Sequence, residues 1–285
     1  MVGRSYFVSK QYAMLRMRGA DAPVVVFSMG KTGSTAIARA VQDATGSRVF
    51  QVFRLEAARL AEAEQRYRAH QKQAPLSSGG AVPFPGALHL WESEFLLRHP
   101  PTAEAPWNVI TTVREPVAQA VSAFFHGTPR RGLLDTAPSL DELEATLLSE
   151  QWLRAPLRWF DREFEPALGI DVFGHEFDPG VGHGVIETPS VRVLLLRQEN
   201  LAAAPPAVAR FLGRPGTLAV PPRNEASTKE YGARYREFLA AVRLTDPVLD
   251  DVYDSRYARH FYTDNELERF RRRWRDGPGP TTTNG

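Results

Sequence analysis

Short apolar runs alternate along the chain with longer stretches in which apolar residues recur every three or four positions. Continuous β-branched and aliphatic runs predict buried strands at 23–29, 47–53, 107–113 and 191–197, with a possible strand at 87–91 and a hairpin of two short strands within 171–187. Helical spacing predicts helices at 1–22, 34–45, 56–73, 116–125, 139–168 and 224–275. This alternation predicts an α/β fold with a central, mainly parallel sheet flanked by helices and a helical C-terminal region.

The length of 285 residues allows one or two domains, and the chain has neither an internal repeat nor a clear linker. We therefore expect one domain over residues 1–275, followed by a disordered tail at 276–285. No apolar run approaches the roughly 18 residues of a membrane helix, and the N-terminus lacks the apolar segment of a secretory signal. Cysteine is absent, which excludes disulfides and thiolate chemistry. These features predict a cytoplasmic protein without a membrane span.

The charge of the chain argues against some partners and draws attention to particular lysines. A net charge of +2 is too small to favour nucleic acid as a partner. Only four of the 35 basic residues are lysines. A lysine in this arginine-rich background indicates that its position favours a compact point charge. Two of the four, Lys31 and Lys229, lie in segments that carry further signals.

The segment FSMGKTGSTAIARAV places glycines, a lysine and hydroxyl residues between the first strand and the next helix. Unpaired N–H groups at a helix start and the helix dipole favour a bound anion there. Gly30 and Gly33 let the backbone curl close to a ligand, and Lys31 adds a full charge. The alternative is a plain turn in which Ser34 caps the helix. The predicted phosphate-binding residues are Gly30, Lys31, Thr32, Gly33, Ser34 and Thr35.

This loop departs from the P-loop of nucleotide hydrolases, G-x-x-x-x-G-K-[ST]. Gly30, Lys31 and Thr32 match the end of that motif, but its first glycine would fall at Val25, inside the strand. A Mg²⁺–nucleotide site also needs a carboxylate at the end of a nearby strand. The two strongest later strands instead lead into arginine. The pattern therefore favours an anion site that needs no metal.

A second strand-to-helix junction, NVITTVREPVAQAVSAFF, carries another candidate anion site. Arg114 follows the strand at 107–113, and Ser122 lies eight residues later, about two helical turns into the next element. A guanidinium and a hydroxyl on adjacent elements could hold a second phosphate. The alternative is that Arg114 pairs with Glu115 and that Ser122 is a small packing residue.

Together the two junctions resemble those of sulfotransferases that use 3′-phosphoadenosine 5′-phosphosulfate (PAPS). In that superfamily a strand–loop–helix holds the 5′-phosphosulfate, and a segment R-x-P-x-x-x-x-x-S holds the 3′-phosphate; Arg114, Pro116 and Ser122 match this spacing. The form GKTGST is similar to the glycan uronyl 2-O-sulfotransferase branch and to a bacterial family of capsular polysaccharide synthesis proteins. VLLLRQENL resembles a strand that recurs in these enzymes, and NEASTKEY and YDSRYARHFYTDNELERF resemble the C-terminal part of the capsular family.

The resemblance implies a single P-loop-like domain that moves a sulfuryl group from PAPS to a hydroxyl of a carbohydrate or glycosylated metabolite. Lys31 would then act catalytically at the departing phosphate, and the loop, Arg114 and Ser122 would bind the cofactor without a metal. The resemblance also implies that Lys229 closes over the cofactor, although Glu230 stands where the capsular family has an aromatic residue. The alternative for Lys229 is an ordinary solvated helix lysine.

An acceptor hydroxyl needs a base near neutral pH, and histidine is the first candidate. His89 lies 25 residues before Arg114. In the uronyl 2-O-sulfotransferases the catalytic histidine has a similar place, after a strand and ahead of the 3′-phosphate segment. The alternative is that His89 is a partly buried residue beside Trp91. In that case Glu92 or Glu94 could be the base, since related branches use glutamate.

Two other functions stay open from the sequence. A nucleotide-dependent kinase would be favoured by a strand-terminal aspartate able to hold Mg²⁺ near Lys31. A catalytically inactive nucleotide-binding module in polysaccharide assembly would be favoured by PAPS binding without turnover. The sequence does not identify the acceptor or the oligomeric state.

Overall fold

The computed structural model describes residues 22–46, 49–73, 88–127, 137–214 and 231–277. The strands are β1 (Val24–Phe27), β2 (Val49–Val52), β3 (Trp107–Val113), β4 (His183–Glu187) and β5 (Val191–Arg197). The α-helices up to β4 are α1 (Ser34–Thr45), α2 (Ala57–Gln73), α3 (Leu88–Arg98), α4 (Pro116–Gly127), α5 (Leu140–Leu147), α6 (Glu150–Leu153) and α7 (Glu165–Leu168). Those after β5 are α8 (Pro205–Phe211), α9 (Gly232–Ala241), α10 (Asp246–Tyr253), α11 (Arg256–Phe261) and α12 (Asp264–Asp276).

Shorter helical segments complete the description. Three of them are 3₁₀-helices, at Pro156–Arg158, Val172–Gly174 and Gln198–Ala203. A π-helical turn at Phe160–Phe164 precedes α7 and packs on the end of β1, where the rings of Phe164 and Phe27 stack with centroids 5.5 Å apart. No helix of the described residues is long and apolar enough to span a membrane.

The five strands form one sheet in the order β2–β1–β3–β5–β4. Only β4 runs antiparallel, paired with β5. Because β1 has β2 on one side and β3 on the other, the chain order reverses at β1. In open parallel sheets, ligands bind outside the carboxyl ends of the strands at such a reversal. The fold therefore points to the loops that follow β1 and β3.

Both faces of the sheet are covered, which explains why the strands read as continuous apolar runs. Val24 and Val26 of β1 belong to a cluster with α1 and α8 on one face. Val25 and Phe27 belong to the larger cluster on the other face, with α4 and the C-terminal helices. The predicted mixed α/β fold with a mostly parallel sheet flanked by helices is confirmed.

The possible strand at 87–91 is wrong, because residues 88–98 form helix α3. The alternation of LHLW suggested a strand, but the buried positions 92, 93, 95 and 96 follow a helical period. Within this helix the hydroxyl of Ser93 donates to the carbonyl of His89 at 2.8 Å. His89 therefore lies in the first turn of a helix.

The predicted hairpin of two strands within 171–187 is also wrong. This stretch contains one strand, β4, whose hairpin partner is β5. The first half forms the 3₁₀-helix Val172–Gly174, because the carboxylate of Asp171 accepts the N–H of Phe173 at 3.0 Å and caps the turn. Several predicted features lie outside the described residues. They are Lys229, residues 1–21 of the predicted helix at 1–22, residues 224–230 of the C-terminal helical region and residues 278–285 of the predicted tail at 276–285.

The C-terminal helices contribute an aromatic wall to the core. The near-helical spacing of four aromatic residues predicts packing and not a sugar-binding surface. All four are buried, and they are Tyr253, Tyr257, Phe261 and Tyr262. The aromatic wall lies behind the carboxyl end of β3, so its hydroxyl groups can reach the turn into α4.

Candidate functional site

The loop after β1 has an unusual backbone conformation. Lys31 has φ 70° and Gly33 has φ 86°, with Thr32 between them outside the positive-φ region. A non-glycine residue at positive φ is uncommon, and such strain is typical of binding sites. Alternation between left- and right-handed residues turns successive N–H groups into one concave surface that suits an anion. The positive φ values of Lys31 and Gly33 fit this pattern, and the anion site itself stays a prediction.

Three consecutive carbonyl groups of this loop accept hydrogen bonds from side chains. These bonds run from Thr32 Oγ1 to Met29 O (2.9 Å), from Gln119 Nε2 to Gly30 O (2.8 Å) and from Arg114 Nη1 to Lys31 O (3.0 Å). A trans peptide unit is planar, so its N–H points opposite to its C=O. The three side chains therefore fix the direction of the three amides that follow these carbonyls.

Thr32 anchors the loop to the neighbouring strand. Its side chain is buried, and its Oγ1 lies 2.7 Å from Oγ1 of Thr112 on β3. The hydroxyl of Ser28 accepts the N–H of Thr112 at 2.8 Å. These contacts leave the backbone N–H of Thr32, and not its hydroxyl, as the group it can offer to an anion.

Ser34 and Thr35 open helix α1, where Gly33 has no side chain to cap the first turn. Gln51 of β2 donates from Nε2 to Thr35 Oγ1 at 2.9 Å and to Ser34 Oγ at 3.4 Å. Behind it, the buried Glu92 accepts the backbone N–H of Gln51 at 3.0 Å. Glu92 is therefore tied to a backbone amide and supports β2 and the loop hydroxyls indirectly.

Arg114 and Glu115 do not form the alternative ion pair. The carboxylate of Glu115 is 3% exposed and accepts hydrogen bonds from four neutral donors: Val117 N, Ala118 N, Tyr253 Oη and Trp274 Nε1. Burial raises the pKa of this carboxyl, and the hydrogen bonds act against that effect. Glu115 thus caps α4 and faces the aromatic wall, while the guanidinium of Arg114 turns to Lys31 O.

The face of α4 that carries Ser122 is turned toward the loop. Gln119 contacts Gly30 from this helix, and Ser122 lies three residues later, on the same helix face. Ser122 is buried. Sequence reasoning missed Gln119, although an amide side chain within the apolar stretch VAQAVSAFF is a signal that could have found it.

Basic residues gather at the carboxyl edge of the sheet. One lies at or just beyond the end of every parallel strand: Lys31 after β1, Arg54 after β2, Arg114 after β3 and Arg197 at the end of β5. Glu163 pairs with Arg54, and Glu266 pairs with Arg197. No carboxylate of the described residues forms an ion pair with Arg114. The charge of Arg114 is therefore one that an anionic ligand could neutralise.

His89 lies near the end of β2. Its ring is half-buried and meets the ring of Phe53, the residue after β2, edge to face with centroids 5.3 Å apart. Glu94, on the same helix, forms an ion pair with Arg98. The structure thus joins the loop with Arg114 and Gln119, and places His89 at the neighbouring strand end.

Gly33→Ala is expected to lower the free energy of unfolding by about 2 kcal/mol. Positive φ costs an alanine about 1 kcal/mol, and its Cβ would lie 2.4 Å from Leu201 Cδ1, which adds a steric cost. Gly46→Ala, at the other end of α1, is the matched control, since it has φ 60° and open space. Gly46→Ala should lower the free energy of unfolding by only about 1 kcal/mol. If urea denaturation showed the same decrease in unfolding free energy for both variants, the close approach of Leu201 to Gly33 would be contradicted.

Comparison with known families finds a match over part of the chain. Residues 146–263 match the NKWYS family model, described as "Putative capsular polysaccharide synthesis protein". The matched part runs from α5 to Thr263 and includes β4, β5 and the aromatic wall, but not the loop after β1 or Arg114. No curated protein and no solved structure matches the chain. The resemblance to capsular polysaccharide synthesis proteins is thus supported over this part.

Proposed function

We propose that this chain transfers a sulfuryl group from PAPS to a hydroxyl of a carbohydrate or glycosylated metabolite during polysaccharide synthesis. One observation carries the proposal: Arg114 Nη1 lies 3.0 Å from Lys31 O, at the reversal of strand order. Two segments with the sequence pattern of phosphate sites are therefore adjacent. A nucleotide with phosphates on both sides of its ribose requires two such sites held at a fixed separation.

The donor set fits this cofactor. The concave amides of the loop and the charge of Lys31 suit the 5′-phosphosulfate. Arg114, which no described carboxylate neutralises, suits the 3′-phosphate together with Ser122. When bound, PAPS supplies the sulfuryl group and leaves as 3′-phosphoadenosine 5′-phosphate (PAP).

The side chains have separate roles in this proposal. The fixed amides and the hydroxyls of Ser34 and Thr35 hold phosphate oxygens, and the ammonium of Lys31 stabilises the charge that develops on the departing phosphate. His89 receives the proton of the acceptor hydroxyl, a role that suits an imidazole near neutral pH. The family match over residues 146–263 supports a glycan as the acceptor.

A kinase is less well supported. It would need a carboxylate near Lys31 to hold Mg²⁺. Glu115 is the carboxylate next to the end of β3, but both of its oxygens already accept hydrogen bonds from backbone amides of α4 and from Tyr253 and Trp274. An inactive binding module shares the whole binding site with the enzyme, so turnover of PAPS with a glycan acceptor separates these two functions.

Calorimetric titration with PAP, and with ATP for comparison, tests the cofactor. We expect PAP to bind without Mg²⁺ and Arg114→Ala to weaken PAP about tenfold or more, because a charge-assisted phosphate contact contributes about 1.5–3 kcal/mol. Arg192→Ala is the matched control. Its Nη1 donates to Phe211 O at 3.1 Å, a similar guanidinium–carbonyl bond at the opposite end of the sheet. Absence of PAP binding, or Mg²⁺-dependent preference for ATP, would overturn the proposal.

A further inference from the structure

One hydroxyl group from the C-terminal helices holds both backbone groups of Arg114. The N–H of Arg114 donates to Tyr257 Oη at 3.1 Å, and Tyr257 Oη donates to the carbonyl of Arg114 at 2.9 Å. Tyr257 belongs to α11 and is fully buried. The two residues are 143 positions apart in the chain, so this contact is purely tertiary.

The hydroxyl of Tyr257 contacts the chain just beyond the last strand pairing of β3. The pairing of β3 with β1 stops at Ile110, and its pairing with β5 stops at Val113. Arg114 is the next residue, between the strand and helix α4. The hydroxyl of Tyr257 therefore supplies the hydrogen bonds that a neighbouring strand would otherwise make with the backbone of Arg114.

The surroundings keep this hydroxyl able to donate and to accept. Burial raises the pKa of Tyr257 far above its ordinary value, and the nearby carboxylates of Glu199 and Glu115 add to the effect. The neutral phenol retains its proton for the carbonyl of Arg114 and its lone pairs for the N–H. On the next residue, the N–H of Glu115 donates to Glu199 Oε1 at 2.8 Å, so the turn is held at two successive positions.

We propose that Tyr257 is a positioning residue that aims the guanidinium of Arg114 at the 3′-phosphate and so sets the preference for a 3′-phosphorylated nucleotide. The inference rests on the proposed function, because it assigns Arg114 to that phosphate. Tyr257 itself touches no ligand. It lies within the part of the chain that matches the capsular family, whereas Arg114 lies outside it.

The test compares PAP with adenosine 5′-monophosphate, which lacks the 3′-phosphate. Tyr257→Phe is expected to weaken PAP about tenfold, since an unsatisfied backbone group frees Arg114 to turn, and to leave the monophosphate within twofold. Tyr262→Phe is the matched control. Tyr262 is almost as deeply buried, but its hydroxyl donates to Glu199 Oε2 at 3.2 Å and has no bond to Arg114. It should keep the wild-type ratio of the two affinities.

An unchanged ratio of the two affinities in Tyr257→Phe would overturn the inference. A purely structural role would give that result, because it would weaken the binding of both nucleotides equally. A second measurement needs no variant. Amide hydrogen exchange at Arg114 in the wild type is expected to slow with PAP but not with the monophosphate, and equal exchange with both ligands would also overturn it. Failure of the proposed function is seen separately, as a wild-type protein that binds PAP no better than the monophosphate.

Discussion

Replacing Lys31 by alanine is expected to lower the turnover number for sulfuryl transfer at least about a hundredfold while PAP affinity changes less than about tenfold. Removing one preorganised group that stabilises developing charge costs about 10²–10³ in turnover. Under the proposed function, ground-state binding would be shared among the loop amides, Arg114 and Ser122, so one ammonium would contribute less to it. The measurement is steady-state turnover with a glycan acceptor, combined with calorimetric affinity for PAP.

The backbone of Lys31 allows its charge and its conformation to be tested apart. At φ 70° an alanine is as strained as the lysine, whereas a glycine is comfortable. Lys31→Gly therefore removes the ammonium and relaxes the loop, and it should be as inactive as Lys31→Ala. Recovery of activity in the glycine variant would show that the conformation of the loop, and not the ammonium, is what the reaction needs.

Replacing Glu266 by glutamine is expected to lower the free energy of unfolding by about 3 kcal/mol, because it leaves a buried cation without its partner. Arg197 is 2% exposed at the end of β5. Its guanidinium donates to both oxygens of Glu266 and to Pro179 O at 2.6 Å, and it lies 4.5 Å from the centroid of the Tyr262 ring. The pair joins α12 to the sheet.

The destabilisation caused by Glu266→Gln should become smaller as the pH falls. Burial opposes ionisation of Glu266, but hydrogen bonds from Arg197 and Thr263 outweigh it and lower its pKa below the ordinary value of 4.5. An acid whose folded pKa is lowered contributes stability above its unfolded pKa and loses it as the pH falls through the folded pKa. The difference in unfolding free energy between wild type and Glu266→Gln should therefore narrow below about pH 4.5.

A surface pair on the same helix provides the control for this prediction. Glu268 and Arg272 are both more than half exposed, with 3.6 Å between the charged atoms. Glu268→Gln should change the free energy of unfolding by no more than about 0.5 kcal/mol. Urea denaturation of both variants across the acidic range makes the comparison. Equal losses in the two variants would mean that the Arg197 pair contributes no more than a solvent-exposed one.

The elements that could be predicted are those whose burial dictates their residues. The strands at 107–113 and 191–197 are covered on both faces, so their runs are continuously apolar and their bounds follow from the sequence. Pro116 likewise sets the start of α4. Helix α3 was missed because a short alternating segment can be a strand or a helix, and only packing decides between them.

The residues of the candidate site also fall into a group that the sequence predicts and a group that depends on the fold. The glycines, Lys31, Arg114 and Ser122 have local spacings that point to anion binding. Gln119 and Tyr257 have no such spacing, since they act across 89 and 143 residues and depend on the order of the strands. The amide of Gln119 within the apolar stretch VAQAVSAFF is a local signal, but its partner, and the contact of Tyr257 with Arg114, follow only from the completed fold.

The long reach of these contacts sets an order of events during synthesis. A domain generally folds as a unit, and a ribosome releases the loop at 28–33 and Arg114 well before Tyr257 and Trp274. Before then, the turn that carries Arg114 lacks the phenol and the indole that hold it and Glu115. The turn at Arg114 can therefore take its final form only when the C-terminal helices dock. Under the proposed function, nucleotide binding would therefore appear late in folding and would report that the last helices have docked.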